Sequence, residues 1–168
     1  MDLDHIELNP DLVANLYSSH LIQQNVTADS ATPKSSKKSI WTYIGNNEKN
    51  ILLLVNYPGQ AELNKQQQSF LNNMLAACKI SLSDVAVMNF GQNPSADHKN
   101  LQEYFKSQII ILFDIEPSSF GLPLSFPHFQ VQSFANCTFL FTTSIEELEK
   151  DKVLKSKLWV CLRRIFGI

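Results

Sequence analysis

Apolar residues recur along this chain in two kinds of run, short unbroken stretches and longer ones with a three- to four-residue beat, and the two kinds alternate. Ile51 to Val55 is wholly aliphatic, as expected of a parallel strand covered on both faces. Asn56-Tyr57-Pro58-Gly59 ends it with turn chemistry. Over 61–79, Leu63, Gln67, Phe70, Leu71, Met74, Leu75 and Cys78 fall at helical spacing opposite a polar Asn-Lys-Gln-Gln-Gln face, which predicts an amphipathic helix packed on the sheet. Val85 to Phe90 reads as a further strand, Leu101 to Phe105 as a short helix, Gln108 to Phe113 as the central strand and Cys137 to Phe141 as another buried strand. Ile40-Trp41-Thr42-Tyr43-Ile44, before the turn-like Gly45-Asn46-Asn47, reads as an edge strand entering a hairpin. Residues 114–130, rich in Pro, Ser and Phe, read as a long irregular loop. Thr143-Ser144-Ile145-Glu146-Glu147 is a helix start with acid in its first turn, and the last helix runs from Ser144 or Asp151 to Phe166.

This alternation predicts one α/β domain over 40–168, with three α/β/α layers, right-handed crossovers and a mostly parallel sheet. Ligands of such sheets bind beyond the carboxyl ends of the strands, which directs attention to loops 56–62, 89–98, 114–130 and 142–147. Ahead of the domain, residues 1–22 form an amphipathic segment. Leu12 and Leu16 are at helical spacing there, with Val13, Tyr17 and Leu21 beside them. Residues 23–39 hold four Ser, three Lys and one Pro, a composition that reads as a flexible linker.

Composition narrows the classes. Hydrophobic residues are 44% and charged residues 18% of the 168, an ordinary globular balance. A net charge of -2 argues against sequence-independent coating of nucleic acid, which needs a surplus of cations. Cys78, Cys137 and Cys161 are too few and too scattered for a disulfide framework and read as reduced and mostly buried. The acidic start Met1-Asp2-Leu3-Asp4-His5 is unlike a secretory signal, and no apolar run approaches the roughly 20 residues needed to span a bilayer. The expected location is the cytoplasm, with no membrane contact.

Candidate chemistry is sparse. Asn56 to Gly59 stands where a phosphate or nucleobase pocket would be built, yet one glycine is far short of a phosphate-binding fingerprint, and a tight strand-to-helix turn explains it as well. Asn56 can orient a ligand but cannot act as a base. His5, His20, His98 and His128 lack the spacing of a metal pair, no C-x-x-C or G-x-S-x-G occurs, and neither a metal nor a cofactor is expected. Asp114 and Glu116 follow the central strand, where paired carboxylates could handle protons, although solvated loop acids are the simpler reading. On the last helix, Lys152, Lys155, Trp159 and Arg163 run at three- and four-residue steps beside an apolar face of Leu154, Leu158, Cys161, Leu162 and Ile165. A core Trp with snorkelling cations is the simpler account, and a surface that stacks on a base or a partner protein is the other.

The stretches Ile51-Leu-Leu-Leu-Val-Asn-Tyr-Pro-Gly59, Ser69-Phe-Leu-Asn-Asn-Met-Leu-Ala-Ala77 and Ile80-Ser-Leu-Ser-Asp-Val85, with Asn89, resemble the first half of the uracil-DNA glycosylase superfamily. Phe139-Leu-Phe-Thr-Thr-Ser-Ile-Glu-Glu-Leu148 and Lys157-Leu-Trp159 resemble its last strand, late loop and closing helix. The resemblance implies a glycosylase-like fold. It also places Asn56, Tyr57 and Ser144 where catalytic groups would stand. The late loop lacks the family's His, and the cluster-binding cysteines of its iron-sulfur branch are missing, so these three are degenerate positions. Leu12-Val-Ala-Asn-Leu16-Tyr17 ahead of a linker, Leu122-Pro-Leu124 followed by Gln130-Val131, and the Lys157-Leu-Trp159 ending resemble a non-catalytic branch, the psi accessory subunits of bacterial DNA polymerase III clamp loaders. That implies a non-enzymatic protein-interaction subunit in DNA replication, with clamp-loader or single-strand-binding components as partners and only indirect or weak DNA contact. Leu12, Leu16, Tyr17, Lys155, Trp159 and Arg163 are the partner-binding candidates. The alternative is a divergent uracil or mismatch glycosylase in which Asn56 orients water.

Overall fold

A computed structural model describes residues 41–93 and 95–168. The proposed 1–22 segment and 23–39 linker, and with them Leu12, Leu16 and Tyr17, lie outside the described residues. The described part is mixed α/β, a six-stranded sheet with four α-helices. In chain order these are β1 (Tyr43–Ile44), β2 (Ile51–Val55), α1 (Lys65–Ala77), β3 (Val85–Asn89), α2 (His98–Phe105), β4 (Ile109–Phe113), β5 (Val131–Phe134), β6 (Cys137–Thr142), α3 (Ile145–Lys150) and α4 (Lys152–Phe166).

The sheet order is β1-β3-β2-β4-β6-β5. The four inner strands are parallel, and both edge strands are antiparallel to their neighbours. Every residue of β2 is buried, with Ile51, Leu53 and Val55 on one face and Leu52 and Leu54 on the other. This two-sided burial is why the strand reads as a continuous aliphatic run instead of an alternating one. The first face packs on Leu71, Met74 and Leu75 of α1, Ile145 and Leu148 of α3, and Leu158, Cys161 and Leu162 of α4. The second packs on Leu101 and Phe105 of α2 and on Ile115, Phe120, Leu122 and Phe126, so the 114–130 loop acts as a lid of core side chains.

The structure departs from the sequence expectations at two strands. β1 pairs with β3 and not with the strand that follows it, so the expected hairpin is absent. Gly45 (φ +101°) turns the chain where a Cβ would collide with the Val85 and Leu82 carbonyls, and this carries the path across to β3. β5 was not anticipated. It forms a hairpin with β6 through Ala135 and Asn136, both left-handed (φ 49° and 59°), a primed turn made without the glycine that usually announces it. Of the two starts offered for the last helix, Asp151 is the one observed: its carboxylate accepts from Val153 N and Leu154 N and starts α4, while Ser144 starts the separate, shorter α3.

Candidate functional site

From β2 the sheet grows first to β3 on one side and then to β4 on the other. The crevice beyond the carboxyl ends of β2 and β4 is therefore the topological switch point, where ligands of open α/β sheets bind. Asn56 and Asp114 follow these two strands. The exposed Asn56 donates from Nδ2 to the Asp114 carbonyl oxygen at 3.3 Å, which ties the two strand ends together. Asp114 sits in the left-handed region (φ 54°), and its carboxylate, like that of Glu116, is exposed.

Tyr57 and Ser144 converge on the first turn of α3. Ser144 Oγ accepts from Glu147 N at 3.4 Å and caps the helix. Tyr57 Oη donates to Glu146 Oε2 at 2.9 Å. The other carboxylate oxygen, Oε1, accepts from Gln67 Nε2 at 2.7 Å. Gln67 is only 2% exposed, and its own Oε1 accepts from Asn64 N while Asn64 Oδ1 accepts from Gln67 N. One amide thus closes the capping box of α1 and clamps α3 through Glu146.

The electrostatics follow from this geometry. Burial pushes the Tyr57 phenol well above its usual range, and the Glu146 acceptor with its negative charge adds to the shift, so Tyr57 is a fixed donor. For Glu146, burial works toward a higher pKa. The hydrogen bonds from Gln67, from its own backbone N–H and from Tyr57, with the Lys150 charge, together outweigh it and hold the carboxyl below its ordinary value. A phenol held protonated beside a carboxylate held ionised is poor equipment for shuttling protons near neutrality.

Asn89, at the end of β3, organises the loop above. Its Oδ1 accepts from Tyr57 N at 2.9 Å and Gly91 N at 3.2 Å, and its Nδ2 donates to the carbonyls of Tyr57 at 2.8 Å and Gln60 at 2.7 Å. Gly91 lies so close to the chain at Tyr57-Pro58 that a Cβ there would come within 2.7 Å of Pro58 N. Gln92 Nε2 adds a 2.7 Å bond to the Pro58 carbonyl. The 56–60 turn is thereby bound to the 89–92 segment.

A second region lies on the α1, α3 and α4 side of the sheet. A groove of about 680 Å³ runs between α1 and α4, lined by Phe70, Met74 and Ala77 of α1 and Leu158, Trp159 and Leu162 of α4. Lys155 Nζ reaches across from α4 to 5.9 Å from the Phe70 ring centroid. Toward α3, Gln66 Nε2 donates to Glu149 Oε2 at 2.7 Å. The simpler sequence account of Trp159 as a core residue needs correction. It is 37% exposed on the groove wall, because Leu158, Cys161 and Leu162 already fill the face of α4 that meets the sheet. Arg163 is exposed, and its Nε donates to the Ile168 carbonyl at 3.0 Å.

Asn56, Tyr57 and Ser144 are thus at one end of the sheet, and Lys155 and Trp159 at the groove. Gln67, Glu146 and Asn89 were missed as organisers of the first region. A polar Gln on the apolar stripe of α1, three residues after Asn64, was the available signal for one of them. The three cysteines are free and buried. His98 is buried, and His128 stacks on Phe141 at 4.0 Å between ring centroids. Among the described residues no cluster of His, Cys, Asp and Glu could hold a metal, and no helix is long and apolar enough to cross a membrane. Compared with known proteins, the chain matches no family model, and its sequence matches none of the curated proteins.

Proposed function

We propose that the chain is a non-enzymatic interaction subunit of a replication assembly, in the manner of the clamp-loader psi subunits its sequence resembles. The finer fold assignment belongs to the same proposal: three α/β/α layers of the glycosylase-like kind, with β3-β2-β4-β6 as the parallel core. Residues 1–22, through Leu12, Leu16 and Tyr17, are the peptide that folds onto the clamp loader. The α/β domain supplies a second protein-binding surface at Lys155, Trp159 and Arg163. Fold alone does not decide between this and a glycosylase, since one scaffold hosts many functions.

The observation that carries the reading is the engagement of the switch-point side chains with the protein itself. Asn56 bridges two strand ends, Tyr57 and Gln67 hold Glu146, and Ser144 caps α3. A glycosylase needs groups there that position water and stabilise a departing anion. These side chains are committed to joining α1, α3 and the sheet.

The test is size-exclusion chromatography of the full chain with isolated bacterial clamp-loader components and with single-strand-binding protein. Stoichiometric co-elution that is lost on Leu12→Asp with Leu16→Asp is the expected result. Failure to co-elute with any of them overturns the replication assignment. Release of uracil from uracil-containing DNA, abolished by Asn56→Ala, would establish the glycosylase alternative instead.

A further inference from the structure

The two helices flanking the groove are unusual for a chain of net charge -2. Within their spans, Lys65–Ala77 and Lys152–Phe166, they carry Lys65, Lys152, Lys155, Lys157, Arg163 and Arg164 and not one Asp or Glu. The single salt bridge among the described residues, Lys49 to Asp84, lies elsewhere. The lysines of α4 and Arg164 therefore face solvent without a carboxylate of the described chain to balance them, while Arg163 is held by the main-chain oxygen of Ile168. Acid is confined to one end of the groove, where Glu149 is bound by Gln66 and Asp151 is held in the cap of α4.

Apolar surface is interleaved with this charge. Phe70, Met74 and Ala77 stand at i, i+4 and i+7 on α1, the spacing by which a helix packs on a further helix, and on the α4 wall Trp159 stands exposed beside Leu158 and Leu162, which are buried against the sheet. Ala77 lets a neighbouring backbone approach closely. Beyond the Trp159 rim, Val153 (61% exposed) and Val160 (64%) continue the apolar surface along α4 among Lys152, Lys157 and Arg164.

We propose that the α1–α4 groove seats an amphipathic helix of a partner protein whose flanks are acidic. The proposal rests on the reading of the α/β domain as a second binding surface, and it names that partner's chemistry. The partner's apolar side chains enter between Phe70, Met74, Leu158, Trp159 and Leu162. Its Asp and Glu residues lie along Lys152, Lys155 and Arg163, and its uncharged end meets Glu149. The unbalanced cations speed encounter and select against basic helices, while Trp159 and Phe70 supply most of the affinity.

The test is selection of displayed random peptides of about 16 residues, enough for a helix slightly longer than the groove wall, on the full chain. Enrichment of peptides with apolar residues at i, i+3, i+4 and i+7 and acidic flanks is expected. A synthetic winner should change Trp fluorescence, lose affinity as salt rises, and bind about tenfold more weakly to Lys155→Glu and to Trp159→Ala. Far-UV circular dichroism of both variants controls for folding, and Lys155→Ala stands in if Lys155→Glu misfolds. Enrichment of basic or aperiodic peptides, no enrichment, or winners indifferent to Lys155 and Trp159 overturns the proposal. So does displacement of the winner by oligothymidylate, which makes the groove a nucleic-acid site, or a dimer in sedimentation that Trp159→Ala abolishes, which makes it a self-interface. Failure to co-elute with clamp-loader components leaves this readout untouched, so the two proposals fail separately.

Discussion

Helix α1 serves two regions that lie a single turn apart and differ in kind. At Gln67 its side chain is buried and bonded at both ends of the amide, to Asn64 and to Glu146. At Phe70, Met74 and Ala77 the same helix lines an open groove. Helix α3 repeats the contrast, with Glu146 held between Tyr57 and Gln67, and Glu149 at the mouth of the groove. A polar network closed on itself rigidifies the scaffold and has little left to offer a ligand. The exposed part of the groove does the reverse: Trp159 and Lys155 on its α4 wall are not needed to fill the core and offer binding surface. Substitutions in the first region should therefore register in stability, and those in the second in association.

The largest effect on stability is expected from Gln67→Leu. The replacement keeps the volume, but leaves Asn64 N without its side-chain acceptor and Glu146 Oε1 without its buried donor. Loss of a bond to a charged group together with half of a capping box should destabilise by about 2–3 kcal/mol in urea unfolding. Tyr57→Phe removes the other donor to Glu146 at a half-buried position and should cost about 1–1.5 kcal/mol. Trp159→Ala should alter stability by less than about 1 kcal/mol, since Leu158, Cys161 and Leu162 anchor α4 without it. A cost for Trp159→Ala as large as that for Gln67→Leu would erase the distinction between the regions.

How far this contrast was legible in the sequence depends on the range of the interactions involved. The inner strands and α1 follow from local pattern, because burial of Ile51 to Val55 on both faces leaves an unbroken aliphatic run, and one apolar face leaves the beat from Leu63 to Cys78. β5 escaped because Val131-Gln-Ser-Phe134 is short and its Ala135-Asn136 turn lacks glycine. The edge pairing of β1 escaped because it depends on a partner more than forty residues away. The candidate site divides in the same way. Asn56, Tyr57 and Ser144 could be placed at one end of the sheet from strand order alone. The bond from Tyr57 to Glu146, 89 positions apart, and the bond from Gln67, 79 positions apart, depend on how α1 and α3 dock. The cations of α4 were visible as a stripe, but the absence of balancing acid across the groove needed α1 as its other wall.

The smallest expected effect is the most specific to the closed network, and it is a matter of pH. Glu146 has its folded pKa held below the ordinary carboxyl value, so the unfolded chain takes up its proton first as acid is added. The stability contributed by the Gln67–Glu146–Tyr57 cluster is present above the unfolded pKa of about 4.3. It is lost as pH falls through the lower folded value. Wild-type unfolding free energy should therefore decline on acidification in that window, and Glu146→Gln should show a shallower decline there, measured as the difference between urea midpoints. Tyr57 works in the opposite direction of pH. Its folded pKa is raised, so its contribution is complete below the phenol's usual value near 10 and fades above it, and Tyr57→Phe should remove the latest phase of an alkaline tyrosine titration. Neither response should appear at the groove. Salt, which screens exposed charge far more than buried hydrogen bonds, should weaken peptide binding at Lys155 and leave the acid limb of the stability curve nearly unchanged.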